Sequence, residues 1–292
     1  MASLLDMRRR IKSVKNTQQI TKAMKMVAAA KLKRAQDRVS ASRPFAGKMS
    51  EVLGDLSSKV VGEFSHPLLD ERGDEKYLIV LISADKGLAG AFNANVIKAT
   101  QAFLRQNVAK DSSMIAVGRK GRDFFKRREI ELTDEYIGLT GSGQVKYSDA
   151  QDIANKLIAL FTEDTSIDKV FIVFTEFKTV LSQKPVIEQL LPVPKAEVEE
   201  GEEATGTEAE YIYEQPAAEI FGRLLPKQVV TQIYKGMIES VASEQGSRMT
   251  AMDSASKNAG ELIDSLTLNM NRIRQAAITK EIIEVVSGAA AA

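Results

Sequence analysis

Both ends of the chain carry a long apolar seam, and nothing else in the sequence restricts its fold as much. Alternating steps of three and four from Leu4 through Met7, Ile11 and Val14 to Leu53, Leu56 and Val60 meet seventeen positions, thirteen of them apolar. The same steps from Tyr234 through Ile238 and Val241 to Ile283 and Ser287 meet sixteen, eleven of them apolar. A mean spacing of 3.5 residues held over this many turns is the signature of a coiled coil rather than of a short amphipathic helix on a globule. At 1.5 Å per residue, a helix from about 227 to 287 is roughly 90 Å long, more than a compact domain of this size requires. The two ends are therefore expected to pair as one antiparallel hairpin. At Gln18, Thr21 and Lys25 the seam turns polar while Ile20, Met24 and Val27 carry an apolar stripe on a neighbouring face. Contact there is expected to pass to something other than the partner helix. Pro44 interrupts the backbone donors, but the apolar spacing continues beyond it, so a kink rather than an end is expected.

Between the two seams the period changes. Tyr77–Ile82 is a short apolar run rich in branched residues, followed by the turn Ser83–Gly90 and an amphipathic stretch from about 93 to 107. Met114–Val117 with Gly118–Gly121 and a helix through Phe124 and Phe125 repeats the unit; Tyr147–Phe161 and Lys169–Phe174 add a helix and a strand. Alternation of this kind predicts an α/β fold with a small, Rossmann-like, mostly parallel sheet. A further strand over Phe177–Leu190 is expected to run antiparallel, interrupted at Pro185 and ended by Pro192 and Pro194. The resulting division is an N-terminal coiled-coil helix over 1–62, an α/β domain over 75–194, an acidic insert with a short strand over 195–219, and a C-terminal coiled-coil helix over 220–288.

The net charge of +1 conceals strong local imbalance. Residues 1–48 hold thirteen basic side chains against Asp6 and Asp37, and residues 195–219 hold nine acids against Lys195. The acidic stretch reads as a solvated loop, and the basic helix calls for an acidic partner or, as the plain alternative, a solvated face. A nucleic-acid arm is disfavoured because the first forty-four residues carry no aromatic side chain among the arginines. The absence of cysteine removes disulfides, thiolate metal sites and cysteine nucleophiles, and a single histidine, His66, beside Pro67, reads as a loop residue. The run Tyr77–Ile82 falls far short of the roughly 20 apolar residues that cross a bilayer. Gly87 and Gly90 lack the first glycine of a dinucleotide fingerprint, and no P-loop motif occurs, so no nucleotide cofactor is expected. Asp85 and Lys86 in that turn read as an ion pair or helix cap before an acid–base pair. No catalytic constellation and no metal site emerges.

Several longer words then point to a family. Ile20-Thr-Lys-Ala-Met24-Lys-Met-Val-Ala-Ala and Ala41-Ser-Arg-Pro44 near the start, with Ser243-Glu-Gln-Gly-Ser-Arg-Met249, Ala251-Met-Asp253 and the stretch from Asn271 to Glu281 near the end, resemble the gamma subunits of F-type rotary ATP synthases. Asp85-Lys-Gly-Leu-Ala-Gly90 resembles that family's D-[KR]-G-L-C-G turn, and Tyr211-Ile-Tyr-Glu214 its Y-x-Y-E strand. Ala89 stands where the family usually has cysteine and Ala91 where it has glycine, and the regulatory cysteine pair of the chloroplast form is missing, which points to a bacterial source.

The resemblance implies a rotor shaft that couples rather than catalyses: one copy per complex, inside a sleeve of three alpha and three beta subunits, its sheet domain standing on the c-ring beside epsilon. It implies a peripheral position on the cytoplasmic side of the plasma membrane. Carried over by position, Lys22, Met24 and Lys25 resemble the contact with the acidic lever loop of beta; Arg248, Gln275, Thr279 and Glu281 the set facing the catch loops; Ile282, Ile283, Val285, Val286 and Ala289 the tip seated in the bearing; and Tyr211, Tyr213 and Glu214 the surface near the ring and epsilon. Intrahelical pairing or seam packing stands as the plain alternative for the helical positions. A self-contained coiled-coil scaffold or nucleic-acid-binding arm is the alternative for the chain. The acidic stretch 197–210 is longer than the resemblance leads one to expect and reads as a solvated loop on the sheet domain.

Overall fold

The computed structural model describes residues 4–59, 65–128, 130–141, 143–194 and 215–291. The chain forms two compact units, residues 30–247 and a second unit of 1–29 with 248–292. The division falls inside the terminal helices rather than at their ends. Helix α1 spans Leu4–Lys59 and helix α5 spans Ala217–Ala291, so each contributes to both units. Neither Pro44 nor Pro226 ends its helix.

In the larger unit, β1 (Lys76–Ile82), α2 (Phe92–Gln106), β2 (Asp111–Val117), α3 (Arg119–Lys126), β3 (Glu131–Tyr136), α4 (Tyr147–Glu163), β4 (Lys169–Phe177) and β5 (Gln183–Leu191) follow one another between the long helices. The sheet order is β3-β2-β1-β4-β5, parallel except for β5, which runs antiparallel to β4. The first four strands take the 3-2-1-4 order of a doubly wound half-sheet, which is the α/β architecture that the alternating sequence predicts. Tyr77–Ile82 is an unbroken apolar run because β1 is central and both its faces are covered. Alternate residues serve opposite faces. Ile79 and Leu81 pack with Val96, Ile97, Met114 and Phe125 against α2 and α3. Ile82, with Ile172 and Phe174, faces α5, where Gly236 admits the sheet so closely that a Cβ would stand 3.0 Å from Ile172 Cδ1.

Two strands depart from the sequence reading. The sequence reading did not include the edge strand β3, because Glu131-Leu-Thr-Asp-Glu-Tyr136 is short and its inward side, Leu132, Asp134 and Tyr136, carries an acid between the two residues that pack. The antiparallel arm begins at Gln183 rather than Phe177, after a turn through Thr179 and Ser182. Pro185 lies within β5 opposite Thr175, whose backbone N–H and C=O are both taken by α5 side chains. The pair therefore exchanges no ladder bonds, and a proline costs the edge strand nothing there. His66 lies in a short turn, its Nδ1 accepting the Leu68 amide at 3.2 Å.

The smaller unit is an antiparallel helix pair. Met7, Thr21, Ala28, Met252 and Ala259 are buried along its seam, and Ile11, Val14 and Gln18 are half-buried. On α5 the seam runs one residue later than the spacing predicts at every second step. Ile263, Met270 and Ala277 turn inward in place of Leu262, Asn269 and Ala276, and Leu262 is 48% exposed. The observed phase removes the polar Asn269 from the seam and brings in methionine, so apolar burial decides the phase.

Candidate functional site

The polar interval in the first seam is satisfied by the partner helix. Gln18 Nε2 donates to the Ser256 carbonyl at 3.3 Å, Thr21 Oγ1 donates to the Gln18 carbonyl, and Lys25 Nζ meets Asp253 Oδ1 at 2.6 Å. Gly260 leaves room for this crossing, since a Cβ there would lie 3.1 Å from the Gln18 amide. Asp253 is further paired with Lys257 at 3.1 Å, and the hydrogen bond from Lys25, then that from Lys257, holds its carboxyl below the ordinary range. The expectation that contact passes away from the partner helix at these seam positions is thus corrected. The stripe beside them is open: Ile20, Met26 and Val27 are exposed, and Met24 is half-buried. Lys22 is exposed on the same helix.

The remaining helical positions singled out by sequence lie far apart along α5. Arg248 is half-buried at the start of the smaller unit's α5 segment, and Gln275 follows twenty-seven residues later, about 40 Å along a helix. The structure does not bring Arg248 together with Gln275, Thr279 and Glu281. These three are exposed, with the Thr279 hydroxyl turned back to the Gln275 carbonyl at 3.0 Å. Beyond them Ile282, Ile283, Val285, Val286 and Ala289 are all exposed, Val285 at 72%. Tyr211, Tyr213, Glu214 and the acidic stretch 197–210 lie outside the described residues.

Large apolar side chains are unevenly placed among the described residues. Of sixteen that are exposed, eleven belong to the smaller unit, which is about a quarter of the chain. Its α1 segment also exposes Arg8, Arg9, Arg10, Lys12, Lys15 and Lys22. An apolar stripe beside a cationic one on a helix pair has the composition of a surface suited to bind protein.

In the larger unit the turn after β1 is organised by one carboxylate. Asp85 Oδ1 accepts the amides of Gly138 at 3.0 Å and Arg119 at 3.2 Å; Oδ2 accepts the Gly141 amide at 3.0 Å and the Thr140 hydroxyl at 2.9 Å. Burial works to raise the Asp85 pKa, but these donors outweigh it and hold the carboxyl below its ordinary value. Asp85 therefore ties its own turn to two others, and the amides converge on the chain's own anion. The ion-pair and acid–base readings of Asp85 give way to this arrangement. Beside it, Gly118 has φ +96°, and a Cβ there would stand 2.1 Å from the Ser83 carbonyl oxygen.

Comparison with known proteins settles the family. A family model described as ATP synthase matches residues 3–292. The ATP synthase gamma chain of Solibacter usitatus is 51% identical over the whole of both chains. That of Desulforamulus reducens is 50% identical, covering all of this chain and 99% of its own. The chain belongs to the ATP synthase gamma-chain family. Among solved structures, this gamma chain is similar to one in the central stalk and c-ring of the Tetrahymena thermophila mitochondrial ATP synthase, at 25% identity and a TM-score of 0.60 over 81% of this chain and 99% of that one. It shares its fold with a chain of the Euglena gracilis mitochondrial ATP synthase, at a TM-score of 0.68 and 19% identity over 99% of this chain and 94% of that one. Sequence reasoning missed the Asp85 clamp and the contact between half-exposed Arg43 and buried Glu239. The signal for the latter was a cluster of polar residues, Glu239-Ser240 and Ser243-Glu-Gln245, among positions that face the sheet.

Proposed function

We propose that this gamma chain is the central rotor shaft of an F-type ATP synthase, turning with a ring of c subunits and setting by its angle the conformations of nucleotide sites on three surrounding alpha–beta pairs. Family membership supports the reading at the level of the complex. The observation that carries it to a shaft is the concentration of exposed apolar and cationic side chains on the helix pair. Such a surface suits a sleeve with an apolar bearing at Ile282, Ile283, Val285 and Val286 and acidic loops opposite Lys22, Met24 and Lys25. Because Lys25 is held by Asp253, Lys22 is the cation best placed to meet an acidic loop directly. Gln275, Thr279 and Glu281 face the sleeve near the tip, and Arg248 forms a separate contact about 40 Å back along α5. Tyr211, Tyr213 and Glu214 are assigned to the c-ring and epsilon.

On this reading the chain holds no catalytic site and is present once per complex, peripheral to the cytoplasmic face of the plasma membrane. Its work is thermodynamic coupling. If shaft angle changes nucleotide affinity, nucleotide occupancy biases shaft angle by the same free energy. A charge crossing 100 mV is worth about 2.3 kcal/mol, so the shaft pools several crossings for each nucleotide site that it drives.

The test is Mg-ATP hydrolysis by the cognate alpha and beta subunits with and without this chain. One copy incorporated per three alpha–beta pairs, with faster steady turnover, is the expected result. Failure to incorporate, with turnover unchanged, would leave a coiled-coil scaffold as the better account.

A further inference from the structure

Parallel pairing between β1 and β4 ends at Leu81 and Val173. Four residues of β4 continue past that point, and their outward backbone groups are taken up by side chains of the long helices. Thr175 N–H donates to Ser240 Oγ at 3.1 Å, and the Thr175 carbonyl accepts from Ser243 Oγ at 3.1 Å. Phe177 N–H donates to Glu239 Oε2 at 2.8 Å, and the Phe177 carbonyl accepts from Arg43 Nη2 at 2.9 Å. The circuit closes between the helices, where Arg43 Nε and Nη2 donate to Glu239 Oε1 at 3.0 and 2.9 Å. Glu239 is 2% exposed at its side chain, whereas Arg43 on α1 is 51% exposed. One carboxylate thus binds α5 to α1 through one oxygen and to the sheet through the other.

The arrangement differs in kind from the packing around it. Apolar contacts such as Gly236 against Ile172 hold α5 on the sheet but are non-directional, and resist a twist or slide of the helix only weakly. Charge-assisted hydrogen bonds have fixed lengths and directions. A turn of α5 about its axis would strip Ser240, Ser243 and Glu239 from β4 together and leave the Glu239 carboxylate buried and unpaired. Such a loss is heavily penalised.

We propose that Arg43 and Glu239 are positioning residues for coupling: they lock the sheet of the larger unit to the two helices beside it, so that torque applied to the sheet turns the helices instead of shearing the contact. The proposal rests on the rotor reading. Its test uses the complete synthase reconstituted in vesicles, with ATP hydrolysis and ATP-driven acidification measured on the same preparation. In Glu239→Gln and Arg43→Gln, hydrolysis without a gradient is expected to stay within about twofold of the parent while protons pumped per ATP fall by more than that, about fivefold, because nucleotide turnover is then no longer tied to the angle of the sheet. Arg43→Lys restores part of the ratio, since an ammonium reaches Glu239 but cannot also hold Phe177 in fork geometry. Arg223→Gln, which breaks the exposed Arg223–Glu219 pair on the same helix, leaves the ratio unchanged.

A proportional fall of both activities, or no change in either, would overturn the proposal and leave a contact that merely stabilises the fold. Should Glu239→Gln fail to assemble, the comparison of Arg43→Gln with Arg43→Lys decides by the same criterion. The rotor reading is judged separately, by whether the parent synthase pumps only when this chain is present.

Discussion

Asp85 displays the energetics of a single side chain most clearly. Its carboxylate meets three backbone amides and one hydroxyl, donors that would otherwise be unpaired where three loops converge. Asp85→Asn keeps the shape but turns an amide N–H₂ toward donors. Loss of charge-assisted bonds with donor facing donor is expected to cost about 2–4 kcal/mol, read as a lower urea midpoint by circular dichroism. The pH dependence follows from the direction of the shift. Since the folded-state pKa is depressed, stabilisation is complete above the unfolded carboxylate value of about 3.9 and is lost as pH falls through the lower folded value. Between pH 6 and pH 2, then, the parent loses more stability than Asp85→Asn does. Equal losses would show that the carboxylate is not held in its charged form. Gly118 is the companion case. Alanine there meets both a positive φ and the Ser83 carbonyl, so Gly118→Ala is expected to cost about 3 kcal/mol or more.

At the scale of elements, the two long helices were legible because burial in a helix pair repeats every few residues and leaves that period in the sequence. The phase was less secure. Leu262 and Ile263 are both apolar neighbours, and only the fit of Ile263, Met270 and Ala277 against α1 chooses between them. The central strand β1 announced itself as an unbroken apolar run, while edge strand β3 hid because only Leu132 and Tyr136 mark its inward face and Asp134 stands between them. The start of α5 at Ala217 fell inside the stretch read as acidic insert, where Glu219 suits a helix's first turn as well as a solvated loop. Buried Glu239 carries no local sign of its partner, because Arg43 lies 196 residues earlier. The same contrast between helix faces yields a prediction. A Cβ at Gly47 meets nothing within 4 Å, so Gly47→Ala should stabilise the chain by about 0.5–1 kcal/mol through helix propensity alone. Gly236→Ala gains the same propensity but presses on Ile172 and Ile82, an overpacking of about 1–3 kcal/mol that reverses the sign. Paired thermal melts of the two variants shifting in the same direction would refute this assignment of open and closed faces.

For the whole molecule, the decisive property is that the surfaces buried to hold the fold and the surfaces left open lie largely in different units. The larger unit buries its apolar side chains around the sheet, and the smaller unit leaves many of its own open, most densely toward the end of α5. A chain so built is expected to self-associate when purified alone and, if it is the rotor proposed above, to be present as one copy in the complex. Ile282→Ser with Val286→Ser removes two exposed branched residues one helical turn apart. Neither makes a buried contact within the chain, so unfolding should be unaffected, and sedimentation of the isolated chain should shift toward monomer. On the rotor reading the same substitutions forfeit apolar burial of about 1–1.5 kcal/mol each, which raises the rate of release from the alpha–beta sleeve about thirtyfold to a hundred-and-fiftyfold, with little change in the rate of entry. On the same reading entry is steered by the cations of α1. It should slow as ionic strength rises from 0.05 to 0.5 M, because the Debye length shrinks from about 14 to about 4 Å and steering by Arg8, Arg9, Arg10, Lys12, Lys15 and Lys22 is screened. If the double variant left sedimentation and release unchanged while salt altered release rather than entry, the apolar tip would not be the seat, and retention would have to be assigned to the basic face.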